Sequence, residues 1–192
     1  FEESGIIRDM IQNHLLQVLT MVAMEPPVAL SADAVRDEKV KVLKAVRSFR
    51  PEEVAGATVR GQYSRASFDG EEVPGYREEH GVAADSRTET FAAVRLMVDN
   101  WRWAGTPFFL RSGKRLPRRV TEVAIHFKRP PHVLFDQAHD LQPNVLLLRI
   151  QPDEGISLRF GSKVPGPDIR IRDVRMDFRY GAAFGGENAD SY

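Results

Sequence analysis

The chain has 192 residues, 42% of them hydrophobic and 28% charged, and this composition predicts a folded globular protein rather than a disordered one. Its 27 basic and 27 acidic residues cancel, so the overall charge provides no attraction to nucleic acid or to anionic membranes. The absence of Cys excludes disulfides and thiolate zinc sites and fits a reducing compartment, from which we expect a cytoplasmic protein.

The start of the sequence has the pattern of two helices. Apolar residues recur at helical spacing and predict a mostly buried helix over residues 4–23, which Pro26 ends. Ser31 is placed to cap a second helix that runs to about Phe49. No apolar run approaches the roughly 20 residues that a membrane span needs.

After Pro51 the sequence alternates with a period of two and predicts strands to the end of the chain. Apolar and polar residues alternate over residues 122–127, 156–160 and 174–178, which indicates strands with one wet face. The more apolar PNVLLLRIQP predicts a central strand, and TPFFLRSG and ATVRGQY predict shorter ones. Residues 63–86 are polar and Gly-rich and predict a mobile loop.

Two helices followed by a run of strands predict the α+β class, with a large, mainly antiparallel sheet packed against the helices. We expect six apolar strand residues in the core: Val123, Ile125, Phe127, Leu146, Leu148 and Ile150.

Common motifs for generic chemistry are missing. The sequence contains no G-x-G-x-x-G, so no dinucleotide fold is signalled. GSKVPGPD begins like a phosphate-binding P-loop, but Pro167 and Asp168 stand where Lys and Ser or Thr are required. The five His residues show no H-x-x-x-H pair and no clustered carboxylates, so we expect no metal site.

The stretch GIIRDMIQNH places Asp9, Asn13 and His14 in the first predicted helix. A lone His in an apolar helix is more often a packed core residue than a catalyst. In an α-helix Asp9 and Asn13 share a face, whereas Asp9 and His14 lie about 140° apart at about 3.6 residues per turn. This spacing predicts that Asp9 and His14 approach a ligand from two sides and do not act as a pair.

The stretch FFLRSGKRLPRR runs from an apolar strand into Lys114, Arg118 and Arg119. A strand end can hold cations rigidly against an oxyanion or a sugar hydroxyl, although a solvated basic turn is the more common meaning of this composition. Arg149 and Gln151 share one face of a later strand and need either ligands or structural partners, such as a salt bridge.

Several segments, in this order, together resemble one known family: RDMIQNHLLQVLTMVAMEPP, RDEKVKVLKAVR, VRGQY, GVAADSRTETFAAV, WAGTPFFLRSGKRL and LRIQPDEG. They resemble the C-terminal half of the glucose-6-phosphate dehydrogenases, and the resemblance covers nearly the whole chain. Its most specific parts are IQNH and the later RSGK.

The resemblance implies an oxidoreductase that oxidises C1 of glucose 6-phosphate to 6-phosphogluconolactone and passes hydride to NADP, the first step of the pentose phosphate pathway. By motif position it implies that His14 is the general base, Asp9 a ligand of a sugar hydroxyl and Lys114 a substrate-binding lysine. It also implies a homodimer, or a dimer of dimers, formed through the sheet.

Two further residues match the family less closely. Arg119 and Gln151 fall where some members contact the sugar or its phosphate, and Arg118 beside Arg119 leaves this assignment open by one residue. Some animal members bind a second, structural NADP with basic and aromatic side chains, and three of the matching positions here are Val120, Ala124 and Ser157. These residues argue against such a site.

We expect residues 1–192 to form a single substrate-binding and dimerisation domain that is incomplete at both ends. The family's N-terminal Rossmann domain is missing from the sequence, as is the D-H-Y-x-x-K segment that supplies phosphate ligands and a carboxylate to orient the catalytic His. NADP would therefore be bound mainly by the missing domain, and we expect the chain alone to be inactive. Two alternatives are a sheet-based dimerisation module with no ligand and a sugar-phosphate-binding domain that is not catalytic.

Overall fold

The computed structural model describes residues 2–68, 70–129 and 142–185, and the chain divides between Leu116 and Pro117 into two compact units. The first unit contains the π-helix Ile7–Leu15, helices α1 (Leu16–Ala23), α2 (Ala32–Ala45) and α3 (Pro51–Ala57), strands β1 (Thr58–Gly61), β2 (Ala66–Phe68) and β3 (Glu71–Val73), the 3₁₀ helix Tyr76–Glu78, and strands β4 (Phe91–Met97) and β5 (Pro107–Gly113). The second unit contains strands β6 (Thr121–His126), β7 (Val145–Gln151), β8 (Gly155–Lys163) and β9 (Ile171–Arg179), and helix α4 (Tyr180–Phe184).

The combination of helices with antiparallel sheets confirms the predicted α+β class. Every strand pair in the described residues is antiparallel, and the strands lie in three sheets with the orders β1-β4-β5, β2-β3 and β6-β7-β8-β9. The segment PNVLLLRIQP forms β7 between β6 and β8, so its predicted central position in a sheet is confirmed.

The two predicted helices are present, with differences at particular residues. Residues 7–15 of the first are π-helical, and α1 continues it. Ser31 caps α2 as predicted, since its hydroxyl accepts a hydrogen bond from the Ala34 N–H at 3.3 Å. Helix α2 ends earlier than predicted because Val46 leaves the helix to form an antiparallel bridge with Val98. Among the described residues, no helix is long and apolar enough to span a membrane.

Helix α3 was not predicted, because the sequence after Pro51 was interpreted as strands. Pro51 opens the helix, and Glu53 accepts a hydrogen bond from the Arg50 N–H at 2.9 Å. Proline in the first turn, followed by acidic residues, is an established helix-start pattern. The predicted loop of residues 63–86 also contains regular structure, namely the β2–β3 pair and the 3₁₀ helix.

The buried core lies in the first unit, where the first two helices pack against β4 and β5. Its fully buried apolar residues are Ile6, Ile11, Leu19, Ala23, Val42, Ala92, Leu96, Val98 and Leu110. The predicted core residues belong instead to the second unit, where five of them are half-buried and Phe127 is 47% exposed. That prediction is wrong, because within the described part of this unit the apolar face of the sheet meets only one short helix, which packs on Phe178, and the six strand residues are not buried.

Candidate active site

The segment that carries Asp9 and His14 is a π-helix rather than the expected α-helix. At its end, the Leu16 N–H donates to the carbonyl of Ile11, five residues earlier. Because hydrogen bonds from i to i+5 bring residues five apart close to one face, as i to i+4 bonds do for residues four apart in an α-helix, Asp9 and His14 share a face of this segment. The predicted separation of about 140° is therefore wrong for this segment. Both side chains are exposed, so His14 is not a packed core residue.

Burial along the first helix changes period at the end of the π-helical segment. Ile6 and Ile11, five residues apart, are 1% and 6% exposed, whereas Leu19 and Ala23, four apart in α1, are 4% and 1% exposed. The extra residue in each π turn keeps the apolar side chains facing the sheet. The same change of spacing aligns the polar residues on the opposite side.

Glu89, which directly precedes the buried Thr90 and strand β4, holds the start of the π-helix. The Ile6 N–H donates to the backbone carbonyl of Glu89, and the Ile7 N–H donates to its Oε1, both at 3.2 Å. These bonds satisfy N–H groups that a helix leaves without partners at its first turn. Asp9 lies in this first turn, so its position depends directly on the contact with Glu89.

Lys114 is the first residue after β5 and lies in an exposed turn, as predicted for a strand-end cation. Its N–H donates to the carbonyl of Thr90 at 2.9 Å. The next residue, Arg115, has a φ of 54°, and its guanidinium lies 5.1 Å from the centre of the Tyr63 ring and pairs with Glu79. The hydrogen bond with Tyr63 raises the pKa of Arg115, which stays charged.

A polar network ties the start of the chain to the segment before β4. Tyr76 donates its hydroxyl proton to the Glu2 carboxylate, and the Ser86 hydroxyl donates to the other oxygen at 2.5 Å. The bonds from Ser86 and Tyr76 hold the pKa of Glu2 below its usual range, while burial, followed by the contact with Glu2, raises the pKa of Tyr76. Tyr76 also packs edge-on against Tyr63, whose ring supports Arg115.

Sequence reasoning identified Asp9, His14 and Lys114 but missed Glu89 and Thr90, which hold their backbone. The sequence does contain part of a signal for an acceptor such as Glu89. The first helix begins after Gly5, which has no side chain to cap the helix, so its first N–H groups need an acceptor from elsewhere in the chain. The signal does not identify the acceptor, since Glu89 lies 82 positions from Ile7 along the chain.

The second unit contains the other two predicted site residues at one end of its sheet. Gln151 ends β7 directly opposite Thr121, and exposed Arg119 precedes Thr121 by two residues. Arg149, on the same strand as Gln151, is half-buried, and its Nη2 lies 3.8 Å from Asp177 Oδ1. Arg149 therefore forms a long ion pair with Asp177, but its buried Nε and Nη2 have no hydrogen-bond partner among the described residues, so the ion pair alone does not satisfy the guanidinium.

The described residues contain neither a Rossmann-type cradle for a dinucleotide nor a cluster of metal ligands. A Rossmann cradle needs a parallel strand–turn–helix unit with a glycine-rich turn, and every described strand pair is antiparallel. Within the same residues there is no group of three or more His, Asp or Glu side chains able to hold a metal ion.

The described residues define an α+β protein that presents a carboxylate, an imidazole and an ammonium group and contains no Rossmann cradle among them. The sequence model of the family "Glucose-6-phosphate dehydrogenase, C-terminal domain" matches residues 1–192. The chain belongs to this family.

Named relatives and solved structures agree with this assignment. The chain is 56% identical over 180 residues to the glucose-6-phosphate 1-dehydrogenase of Aggregatibacter actinomycetemcomitans, covering 94% of the chain and 36% of that protein. It is 51% identical to glucose-6-phosphate 1-dehydrogenase 2 of Mycobacterium bovis, covering 100% of the chain and 37% of that protein.

Among solved structures, a glucose-6-phosphate dehydrogenase in complex with its substrate glucose 6-phosphate is 41% identical and superposes with a TM-score of 0.85. That match covers 96% of this chain and 36% of the other. The Mycobacterium avium enzyme is 44% identical with a TM-score of 0.78, covering 93% and 35%. The chain thus spans little more than a third of the length of these proteins.

Proposed function

We propose that this chain is the substrate-binding C-terminal part of an NADP-dependent glucose-6-phosphate 1-dehydrogenase. The enzyme oxidises C1 of glucose 6-phosphate to 6-phosphogluconolactone, the first step of the pentose phosphate pathway. The observation that carries the proposal is the π-helix, which places the exposed Asp9 and His14 on one face. The substrate complex of a relative with a TM-score of 0.85 supports the choice of sugar phosphate.

His14 is the general base in this proposal. Oxidation of C1 requires the hydroxyl proton to leave as the C1 hydride departs, and a neutral imidazole accepts that proton at physiological pH. The exposed position of His14 on the π-helix leaves its ring open to a substrate. A carboxylate on the other ring nitrogen would fix the tautomer and stabilise the imidazolium, and we expect that group from an upstream domain.

Asp9, Lys114, Arg119 and Gln151 bind the sugar phosphate. Asp9, one π turn before His14, accepts a hydrogen bond from a sugar hydroxyl beside the reacting one. Lys114 supplies a cation from the turn after β5, whose N–H is tied to Thr90. Arg119 and Gln151 provide a guanidinium and an amide at one end of the second unit's sheet, suited to the sugar or its phosphate.

NADP accepts the hydride when it is bound by the coenzyme domain of the complete protein. The described residues contain no Rossmann cradle for the coenzyme, because they form only antiparallel strand pairs. We therefore propose that the chain alone does not reduce NADP. We also propose a cytoplasmic location for the complete enzyme, which the absence of Cys from this chain fits.

We also propose that the second unit's sheet joins two copies of the chain, as a homodimer or a dimer of dimers. The strand register puts its apolar side chains on one face: Val123, Ile125, Leu146, Leu148, Ile156, Leu158, Phe160, Val174, Met176 and Phe178. At the β9 edge this face is open, since Met176 is 62% and Phe178 38% exposed. Exposed apolar area of this kind is typical of an interaction surface.

The proposed function is tested by changing His14 to Asn in a protein that continues upstream into a coenzyme domain. We expect the rate of NADP reduction to fall by about 10² to 10⁴, because the proton acceptor is lost while the sugar contacts remain. The KM for glucose 6-phosphate should change little, and the acidic limb of the pH profile should disappear. The measurement is steady-state kinetics followed by coenzyme absorbance.

His126→Asn makes the same chemical change at an exposed position in β6 and should leave the kinetics unaltered. Normal turnover with an unchanged acidic limb in His14→Asn would overturn the assignment. Tight glucose 6-phosphate binding by the unsubstituted full-length protein without NADP reduction would favour a non-catalytic sugar-phosphate domain. Self-association without any sugar binding would favour a dimerisation module.

A further inference from the structure

The contact between Glu89 and the start of the π-helix depends on the glycine at position 5. Gly5 has a φ of +65°, and a Cβ placed on it would lie 2.5 Å from Glu89 Oε1. The backbone conformation therefore disfavours a side chain at this position, and an added Cβ would force the Glu89 carboxylate to move. The structure thus brings the Glu89 carboxylate directly against the first helical turn.

The Glu89 carboxylate serves this backbone contact rather than an ion pair. Arg8, Arg60 and Arg87 line the same cleft as Glu89. Within residues 2–68, 70–129 and 142–185, none of the ion pairs includes Glu89. Its hydrogen bond to Ile7 is the interaction that the geometry supports.

The next residue, Thr90, connects the same stretch of backbone to the Lys114 turn. Thr90 is 1% exposed, and its carbonyl accepts the Lys114 N–H at 2.9 Å. Its own N–H donates to Gly61 at 2.9 Å, and its hydroxyl accepts the Tyr63 N–H at 3.0 Å. Two adjacent residues therefore hold both the helix that carries Asp9 and His14 and the turn that carries Lys114.

We propose that Glu89 is a positioning residue of the active site, an inference that rests on the proposed dehydrogenase function. Through the backbone of Ile6 and Ile7, Glu89 fixes the first turn of the π-helix and with it the direction of Asp9 relative to Lys114. In this role Glu89 acts through the backbone of the helix and needs no contact with substrate or coenzyme.

The experiment compares Glu89→Ala with Glu89→Gln in the full-length enzyme. Losing the acceptor frays the first turn, which contains Asp9, whereas His14 lies one turn further along. We therefore expect Glu89→Ala to raise the KM for glucose 6-phosphate about fivefold to tenfold, the effect of losing a helix cap, with kcat within about twofold and an unchanged pH profile. Glu89→Gln keeps an oxygen acceptor for the Ile7 N–H and should restore most of the affinity.

Two further variants separate positioning from general damage. Gly5→Ala places a methyl group against Glu89 Oε1 and should raise the KM in the same way. Glu78→Ala removes another carboxylate that accepts a backbone N–H, that of Gly75 at 2.9 Å, and should leave the KM unaltered. An equal rise in KM for Glu78→Ala would mean that loss of stability, rather than position, causes the effect.

Amide hydrogen exchange on the 192-residue chain tests the contact without activity. Glu89→Ala should speed exchange at Ile6 and Ile7 at least fivefold and leave β4 protected. Unchanged exchange at Ile6 and Ile7 overturns the proposal. A Glu89→Gln variant whose KM for glucose 6-phosphate rises as much as that of Glu89→Ala also overturns it, because this result would indicate that the charge binds substrate. If the unsubstituted full-length protein fails to reduce NADP with glucose 6-phosphate, the dehydrogenase function fails, and the exchange result still decides whether Glu89 holds the helix.

Discussion

At the scale of single residues, Arg115 shows how the turn after β5 is held. Among the described residues it is the only non-glycine residue with a positive φ, at 54°. This conformation costs an L-residue roughly 1–2 kcal/mol. Contacts with the Tyr63 ring and with Glu79 keep Arg115 in place beside Lys114.

Replacing Arg115 by Gly and by Ala should separate the backbone conformation from these contacts. Both variants lose the interactions with Tyr63 and Glu79, but only Gly adopts a φ of 54° without strain. We expect Arg115→Gly to be more stable than Arg115→Ala by about 0.5–1 kcal/mol, after allowing for the greater chain entropy of Gly. Urea unfolding of the two variants measures the difference. An Ala variant as stable as the Gly variant would show that this turn stores no strain.

Particular residues also show how much of the candidate site can be located from the sequence alone. Asp9, His14 and Lys114 lie in local patterns, IQNH and RSGK among them, and are exposed on the elements where the patterns placed them. Glu89 and Thr90 lie in GVAADSRTETFAAV, one of the segments that resemble the family, but nothing in that pattern signals their role, because they act on backbone groups of residues far away in the chain. Contacts of that kind follow from the fold and not from residue spacing.

At the scale of elements, the π-helix contains one more residue than an α-helix would need to span the same length of the sheet with the same apolar side buried. Deleting Gln12, an exposed residue of the segment, brings Ile11 and Leu19 to seven residues apart, so the segment from Ile11 onward should become α-helical with both side chains still buried. Ile6 and Ile11 stay five residues apart and should keep their π turn. Asp9 and the imidazole would then be four residues apart and still share a face. We expect the deletion to lower the free energy of unfolding by no more than about 1–2 kcal/mol.

Circular dichroism, urea unfolding and a crystal structure of the Gln12 deletion check this prediction. Gln12→Ala, which removes the side chain but keeps the residue, serves as the control and should be as stable as the unsubstituted chain. A deletion variant that fails to fold would mean that the π-helix is demanded by its surroundings and not only by chain length.

The start of α3 makes a pH-dependent contribution to stability. Hydrogen bonds from the Arg50 side chain, and then from its backbone N–H, lower the pKa of Glu53 from 4.5 to about 2. Because the pKa is lower in the folded chain, the contribution is complete above pH 4.5 and is lost as the pH falls towards about 2. Glu53→Gln should be less stable than the unsubstituted chain near neutral pH, and the difference should disappear at the acid end.

Unfolding midpoints measured across this pH range test the Glu53 prediction. Glu52→Gln is the matched control, since Glu52 lies 3.6 Å from Arg50 Nε and is 67% exposed, and its effect should be smaller at every pH. Equal curves for the two variants would contradict the assignment of the acid sensitivity to Glu53.

Element prediction succeeded where one physical signal acted alone and failed where two competed. The cap at Ser31 and the central strand β7 were predicted because capping and apolar composition are local. Helix α3 was missed since the period-2 pattern further on outweighed the Pro51 start. The π-helix was missed because its burial period depends on the sheet against which Ile6 and Ile11 pack.

At the scale of the whole molecule, the apolar face of the second unit predicts self-association. Met176→Glu places a charge on this face at a position that is 62% exposed, and should shift the chain from dimer to monomer. Val28→Glu adds the same charge at a 99% exposed site in the first unit and should leave the dimer intact. Light scattering over a range of concentrations measures both, and a monomeric unsubstituted chain would rule out assembly through this face.

The contact between Glu89 and the first turn of the π-helix also sets an order of events during synthesis. The helix is made first, but its acceptor lies 82 residues further along the chain. At about 5–20 residues per second, the ribosome needs roughly 4–16 s to deliver Glu89. During that interval the apolar side of the helix lacks β4 and β5, on which it will pack, and its first turn lacks a cap. The second unit's sheet, by contrast, joins only consecutive strands and closes as soon as each is made. The helix that carries Asp9 and His14 therefore waits longer for its packing partners than any strand of the second unit's sheet does.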